Sequence, residues 1–355
     1  MSSAPTAVLR VGTRGSDLAV TQTGHAAQAL SVAAAAAGAP LEHELTIIRT
    51  EGDVATGSLA SLGGTGVFAA ALRHALVETR VDLAVHSLKD LPTAPHPGLA
   101  IGAVPVREDP RDALCARDCL ALADLPLGAK IGTGSPRRAA QLLAARPDLV
   151  MVDIRGNVPT RLGRVAGLDE DGPGDLDAVV LAASGLNRLG LGDRITEYLD
   201  PSVVLPAPGQ GALALEVRAD LLLADPELAT QASGAYGEFP SVRPDPGRAG
   251  QAELDACLLA ALGAVNHQET RWAVTAERSL LARLEAGCAA PVGTLATVED
   301  GLLVLRVAVA APDGSRIMRR TEASDELSAE AARELGRRVG DGLLADGAAA
   351  LAGLA

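Results

Sequence analysis

The chain has 355 residues, 48% of them hydrophobic and 21% charged, the balance of a globular protein of two or three domains. A net charge of −13 at pH 7 and an aromatic content of 1% argue against nucleic acid as the main partner, because cationic surface and stacking rings are both scarce. The four cysteines (Cys115, Cys119, Cys257 and Cys288) form no CxxC and no zinc-like spacing, so a reducing cytoplasm and no metal are expected. MSSAPTAVLR lacks the pattern of an export signal, and the apolar run SVAAAAAGAP is too short to span a bilayer, so no membrane partner is expected.

The first two-thirds alternates strand and helix patterns. VLRVGTR (8–14) reads as a strand, and residues 16–38 as a helix capped by Ser16 or Asp17 and closed by Gly38. ELTIIRT (44–50) is a strand, VFAAALRHALVETR (67–80) a helix and DLAVHS (82–87) a short apolar strand, with GLAIGAV and DALCAR as further strand candidates. The alternation then repeats through KIGTGS, PRRAAQLLAARP, LVMVDI, PTRLGRVAG and DAVVLAAS. This is open α/β architecture in two lobes. After VLPAPGQGALALEVR the texture changes: residues 221–266 are rich in Ala, Pro, Gly and acids and read as a surface insertion or linker. Residues 267–355 read as a small C-terminal α+β domain. The boundaries expected are 1–105 plus about 206–220 for the first lobe and 106–205 for the second.

In open α/β sheets ligands gather beyond the carboxyl ends of strands. Those positions here carry Arg14 and Ser16, Ser87–Lys89–Asp90, Thr133 to Arg138, Arg155 with Arg161 one helical turn on, and Arg188. Thr133–Pro136 opens a helix, where free N–H groups and the helix dipole favour an anion. Arginine grips carboxylate or phosphate with a two-pronged fork. Of 31 basic residues only Lys89 and Lys130 are lysines. An acidic chain with this many cations at strand ends points to a bound polyanion, although any one arginine could equally be a solvated helix face. Asp90 is a lone carboxylate beside Lys89. It reads either as a turn residue before Pro92 or as a group held ionised to stabilise positive charge or move a proton. Cys288, in LARLEAGCAAPVG, reads either as a buried apolar filler or as a thiol presented on a turn.

The segments VGTRGSDLAVTQT, DLAVHSLKDLPT, IGTGSPRRAAQLLAARPDL, DIRGNVPTRL, DAVVLAASGLNRLGL, LPAPGQGALALEVR and AVTAERSLLARLEAGCAAPVG occur in this order. Together they resemble the porphobilinogen deaminase (hydroxymethylbilane synthase) family from about residue 8 to about residue 300. The resemblance implies two lobes like those of periplasmic binding proteins with an active cleft between them, and a third domain carrying a cysteine. It implies a dipyrromethane cofactor joined by a thioether to the motif's cysteine, here Cys288. Four porphobilinogen molecules are then condensed on this primer with loss of ammonia, and the linear tetrapyrrole is released by hydrolysis. Each pyrrole carries an acetate and a propionate, which suits the arginines, and a carboxylate would steady the cation left when ammonia departs. The motif places that carboxylate at Asp90. Lys89, Ser87, Thr133, Ser135, Arg137, Arg138, Arg155 and Arg161 match positions for the cofactor. Arg14, Ser16, Arg155, Arg188, Gln210 and Phe68 match positions for substrate. The family suggests a monomer.

Two departures stand out. A loop that resembles AKVGGKG in the family reads ASLGGTG here, with Ser61 and Thr65 in place of two lysines, and FVKELE becomes FAAALR. The alternatives left open by the sequence are a non-catalytic two-lobed anion-binding or sensor protein and a degenerate family member.

Overall fold

The computed structural model describes residues 8–48, 66–169, 171–225, 228–229, 250–286 and 290–354. Among these residues the strands form two five-stranded sheets and one three-stranded sheet. The chain divides into two compact units, residues 1–107 with 212–271 and residues 108–211 with 272–355.

The first unit is built on β1 (Val8–Thr13), β2 (Glu42–Ile47), β3 (Leu83–Ser87), β4 (Leu99–Ala103) and β10 (Leu213–Arg218), in the order β2-β1-β3-β10-β4. β1 runs parallel to β2 and β3, whereas β10 is antiparallel to both its neighbours. Helix α1 (Asp17–Ala36) turns Ala19, Thr23, Ala26, Ala27, Leu30 and Ala34 inward, the spacing of one helical face. Helix α2 (Gly66–Val77) packs on β1, β3 and β10. After β10 come the short α6 (Ala219–Leu222) and α7 (Gln251–Val265).

Helix α7 differs from the expected surface insertion over 221–266. Its Leu254, Leu258, Ala261 and Leu262 are buried in the same core as Leu30 of α1 and Leu215 of β10. Leu and Ala recurring at helical spacing gave the segment a core-facing stripe that its acids and neighbouring prolines obscured. With so few aromatics the cores are built from small aliphatic groups. The largest fully buried side chains are leucines and isoleucines such as Leu9, Leu72, Leu114 and Ile131.

The second unit repeats the sheet pattern with β5 (Asp112–Ala116), β6 (Lys130–Gly132), β7 (Val150–Val152), β8 (Ala178–Ala182) and the two-residue β9 (Glu197–Tyr198), ordered β7-β6-β8-β5-β9. β6 is parallel to β7 and β8, and β5 is antiparallel to β8. In both sheets the fourth strand is therefore antiparallel, and in each case it is the strand by which the chain enters from the other unit. Helices α3 (Pro136–Ala145), α4 (Val158–Leu162) and α5 (Ala183–Arg188) follow β6, β7 and β8.

The same unit holds the C-terminal α+β domain. An antiparallel meander of β11 (Val292–Glu299), β12 (Leu302–Ala310) and β13 (Ile317–Ser324) packs with α8 (Gln268–Arg283), α9 (Ala329–Ala345) and α10 (Ala348–Ala352) around Leu280, Leu305, Leu335 and Val339. The buried Glu277 of α8 accepts hydrogen bonds from the N–H of Gly209 at 2.6 Å and of Ala296 at 2.8 Å, tying the APGQG segment to this domain. Helix α8 ends at Arg283. Glu285 takes a left-handed φ of 50°, and the N–H of Ala286 reaches back to Leu281 O at 3.3 Å, closing off the end of the helix. Cys288, the loop bearing Ser61 and Thr65, and residues 231–249 lie outside the described residues.

Candidate active site

In the first unit the carboxyl ends of the parallel strands β1 and β3 bring four expected residues into one pocket. Arg14, Ser16, Ser87 and Asp90 line it together with Gln22, His86, Ala69 and Leu72. The positions are fixed locally. Ser16 caps α1, its hydroxyl accepting from Ala19 N at 3.3 Å. Thr13 Oγ1 donates to Ala19 O at 3.0 Å and accepts from Thr23 Oγ1 at 2.8 Å, holding the turn from β1 into α1. Ser87 Oγ donates to Gln22 Oε1 at 3.0 Å, joining the end of β3 to α1. Asp90 closes a 3-10 turn, Leu88–Asp90, that starts where β3 stops. The N–H of Leu88 is held by Ala212 O at 3.0 Å, so the returning chain anchors this turn. Lys89 is half-buried in the turn, and Phe68 is the third residue of α2, one before the lining Ala69.

In the second unit the ends of β6, β7 and β8 carry the other expected cations. Thr133 is buried, its N–H bonded to Val152 O at 3.0 Å, and its hydroxyl accepts from Ser135 N at 3.2 Å. Ser135 caps α3, with Pro136 in its first turn. A Cβ added at Gly134 would lie 2.7 Å from Ile154 O, so only glycine lets the chain pass so close to the end of β7.

Arg137 and Arg138 differ from the simple ligand grip read from the sequence. Both are buried and both bind Asp112, the first residue of β5, which is 0% exposed. Arg137 Nη1 donates to Asp112 Oδ2 at 2.7 Å and to Leu205 O at 2.5 Å. Arg138 donates to Asp112 Oδ1 through Nε at 2.9 Å and Nη2 at 2.7 Å, and to Val180 O at 3.1 Å. Gln210 Nε2 donates to the same Oδ1 at 2.8 Å, so this expected substrate residue is buried against Asp112 as well.

One carboxylate thus serves two guanidiniums. Burial pushes the Asp112 acid up, but the two arginines outweigh it and hold it far below the usual carboxylate range. Arg137 moves the other way: burial and the neighbouring Arg138 lower it despite Asp112. The trio carries one surplus positive charge.

That surplus continues outward. Arg161 donates through Nε to Gly156 O at 2.8 Å, and its proton affinity is lowered by burial and then by the charges of Arg138 and Arg155. Arg155 is exposed and lies 3.8 Å from Asp153. Three mutually repelling guanidiniums beside a helix N-terminus suit a ligand bearing several carboxylates. Arg188 is set apart from them. Burial lowers its proton affinity against the opposing pull of Glu108, and its Nη2 donates to Gly211 O at 2.7 Å.

Sequence reasoning missed Asp112, Gln22, Glu277 and the pair His86 and Glu216. The available signal for Asp112 and Glu216 was a carboxylate in a largely apolar strand. Burial pushes the Cys115 thiol up to about 12, the behaviour of an inert core residue, whereas Cys119 is exposed.

Two family models match the chain: "Porphobilinogen deaminase, dipyromethane cofactor binding domain" over residues 9–224 and "Porphobilinogen deaminase, C-terminal domain" over residues 272–345. The proteins named porphobilinogen deaminase from Micrococcus luteus and Cutibacterium acnes are 56% and 51% identical to the chain. The alignments cover 88% of this chain and 81% of the first relative, and 98% and 97% for the second. A third, from Leifsonia xyli subsp. xyli, is 53% identical over 98% of this chain and 94% of its own length. Among solved structures, a TRAP periplasmic solute binding protein from Pseudomonas aeruginosa PAO1 with bound L-malate matches 79% of this chain and 92% of its own at 14% identity, with a TM-score of 0.34.

Proposed function

The chain belongs to the porphobilinogen deaminase family, and we propose that it condenses four porphobilinogen molecules head to tail on a dipyrromethane primer carried by Cys288 and then releases hydroxymethylbilane by hydrolysis. It is an enzyme of tetrapyrrole synthesis with a dipyrromethane cofactor. The cofactor, when bound, supplies the pyrrole end from which the product chain grows.

The residue assignments rest on one observation: Arg14, Ser16, Ser87 and Asp90, scattered over 77 positions, line a single pocket. Asp90 is the carboxylate that stabilises the positive charge developing on the substrate as ammonia leaves. Arg14 and Ser16 hold substrate carboxylates beside it, and Ser87, fixed by Gln22, and Lys89 keep the Asp90 turn in register. The surplus of cations in the second unit fits the acetates and propionates of the cofactor, with Thr133, Ser135, Arg138, Arg155 and Arg161 holding it. Arg137 and Gln210 act through Asp112. Arg188 supplies a further contact for the lengthening product.

Steady-state turnover of porphobilinogen tests this reading. Wild-type protein should release four ammonia molecules per hydroxymethylbilane formed. Asp90→Asn should retain the cofactor and lose activity by roughly a hundredfold or more, the scale of one positioned acid–base or charge-stabilising group. Cofactor-loaded wild type that consumes no porphobilinogen overturns the function. Asp90→Asn within about tenfold of wild type would reduce Asp90 to a turn residue.

A further inference from the structure

Beneath the pocket that holds Asp90 lies a buried charged trio. Arg73 of α2 donates through Nε to both oxygens of Glu216 at 3.0 and 3.2 Å, with its Nη2 2.9 Å from Oε1. Glu216 Oε2 lies 3.0 Å from His86 Nε2. Arg73, Glu216 and His86 are 6%, 2% and 7% exposed. The antiparallel register pairs Ala214 with His86 and Glu216 with Ala84, so the acid and the imidazole are diagonal neighbours on adjacent strands. Burial pushes the Glu216 acid up, but His86 and Arg73 more than offset it and hold the acid at about 2.

We propose that Arg73 and Glu216 are positioning residues that fix His86, and with it the Ser87–Asp90 turn, against the wall formed by α2. The inference rests on the function proposed above. The trio joins three elements that all meet the pocket region. α2 supplies Ala69 and Leu72 to its wall, β3 supplies His86 and Ser87, and β10 lies beside β3 and continues from Ala212, whose carbonyl holds Leu88. A buried ion pair is a poor way to gain stability alone, since apolar residues of similar volume do as well or better. What it adds is direction. A two-oxygen grip on one guanidinium fixes the approach of α2, and the same carboxylate sets the edge of an imidazole that faces the pocket. Helix α2 is otherwise sparing of charge, and Arg73 is its buried cation.

The test separates direction from stability. Glu216→Leu alone strands Arg73 and should lower the unfolding midpoint by roughly 10 °C. In Arg73→Met/Glu216→Leu the uncompensated charge is gone, and the midpoint should return to within about 3 °C of wild type with the cofactor mass retained. Its kcat should nevertheless stay at least tenfold below wild type with KM changed less than threefold, on the scale of a small misplacement of catalytic groups (~10²-fold per ångström). A double variant whose kcat recovers together with its stability overturns the proposal. Arg73→Lys, which keeps the charge and loses the fork, gives a second reading: a folded variant with reduced kcat supports it, and wild-type kcat overturns it. Wild-type protein assayed in parallel distinguishes failure of this inference from failure of the function itself. Without wild-type turnover both fall.

Discussion

Asp112→Asn keeps the shape of the side chain and removes the one carboxylate that faces both Arg137 and Arg138. Taking one partner from a buried charged group costs about 3–5 kcal/mol, because the remaining charge has no water to replace it. Here two guanidiniums are stranded. The asparagine carbonyl can still accept from Arg138 and Gln210, but its amide then meets the Nη1 donor of Arg137 head on. For a unit of this size each kcal/mol moves the midpoint by about 2–4 °C, so calorimetry should show a fall of roughly 6–20 °C. The sign with pH follows from the depressed acid of Asp112. Its contribution is fully present above the unfolded carboxylate value, near ~4, and is lost as the pH falls toward the folded one. The gap between wild type and variant should therefore stay level from about pH 5 to 8 and narrow only below about pH 4. A fall of less than about 2 °C at neutral pH would refute the view that this carboxylate carries the two arginines.

Gly134→Ala places a methyl 2.7 Å from Ile154 O and should cost about 1–3 kcal/mol in chemical denaturation. A neutral outcome would contradict the tight packing of the β6–α3 turn. Glu216 is held at about 2 in the folded chain, so its ionisation makes the wild-type fold on the order of 3 kcal/mol more stable above about pH 5 than the same fold with the acid protonated, a share lost as pH falls toward about 2. Denaturation of wild type and Arg73→Met/Glu216→Leu between neutral pH and the acid limit should show the steeper acid loss in wild type. Arg161→Gln should weaken cofactor retention while leaving the midpoint within about 2 °C, because its carbonyl contact lies at the surface. A midpoint fall without cofactor loss would make Arg161 structural.

The strand ends were legible because parallel strands that start helices must deliver the residues after them to one edge of a sheet. Arg14, Ser16, Ser87 and Asp90 follow two such strands, and they meet. The partners inside the sheets were not legible. Asp112 begins an apolar strand whose pairing with β8 brings it under α3, and only that long-range register shows that Arg137 and Arg138 must first satisfy a buried carboxylate. Glu216 is the same case on β10. FAAALR carries a single charge, Arg73, a buried cation whose partner lies on a strand more than a hundred residues away. Helix α7 was hidden by the composition around it, and its apolar stripe makes sense only against α1.

The most direct test of the central claim is the intact mass of the denatured protein, produced where porphobilinogen is available, beside that of Cys288→Ser. Wild type should carry the excess mass of two linked pyrrole units, and the variant should carry none. An unmodified wild-type chain, or the same excess on Cys288→Ser, would contradict the account.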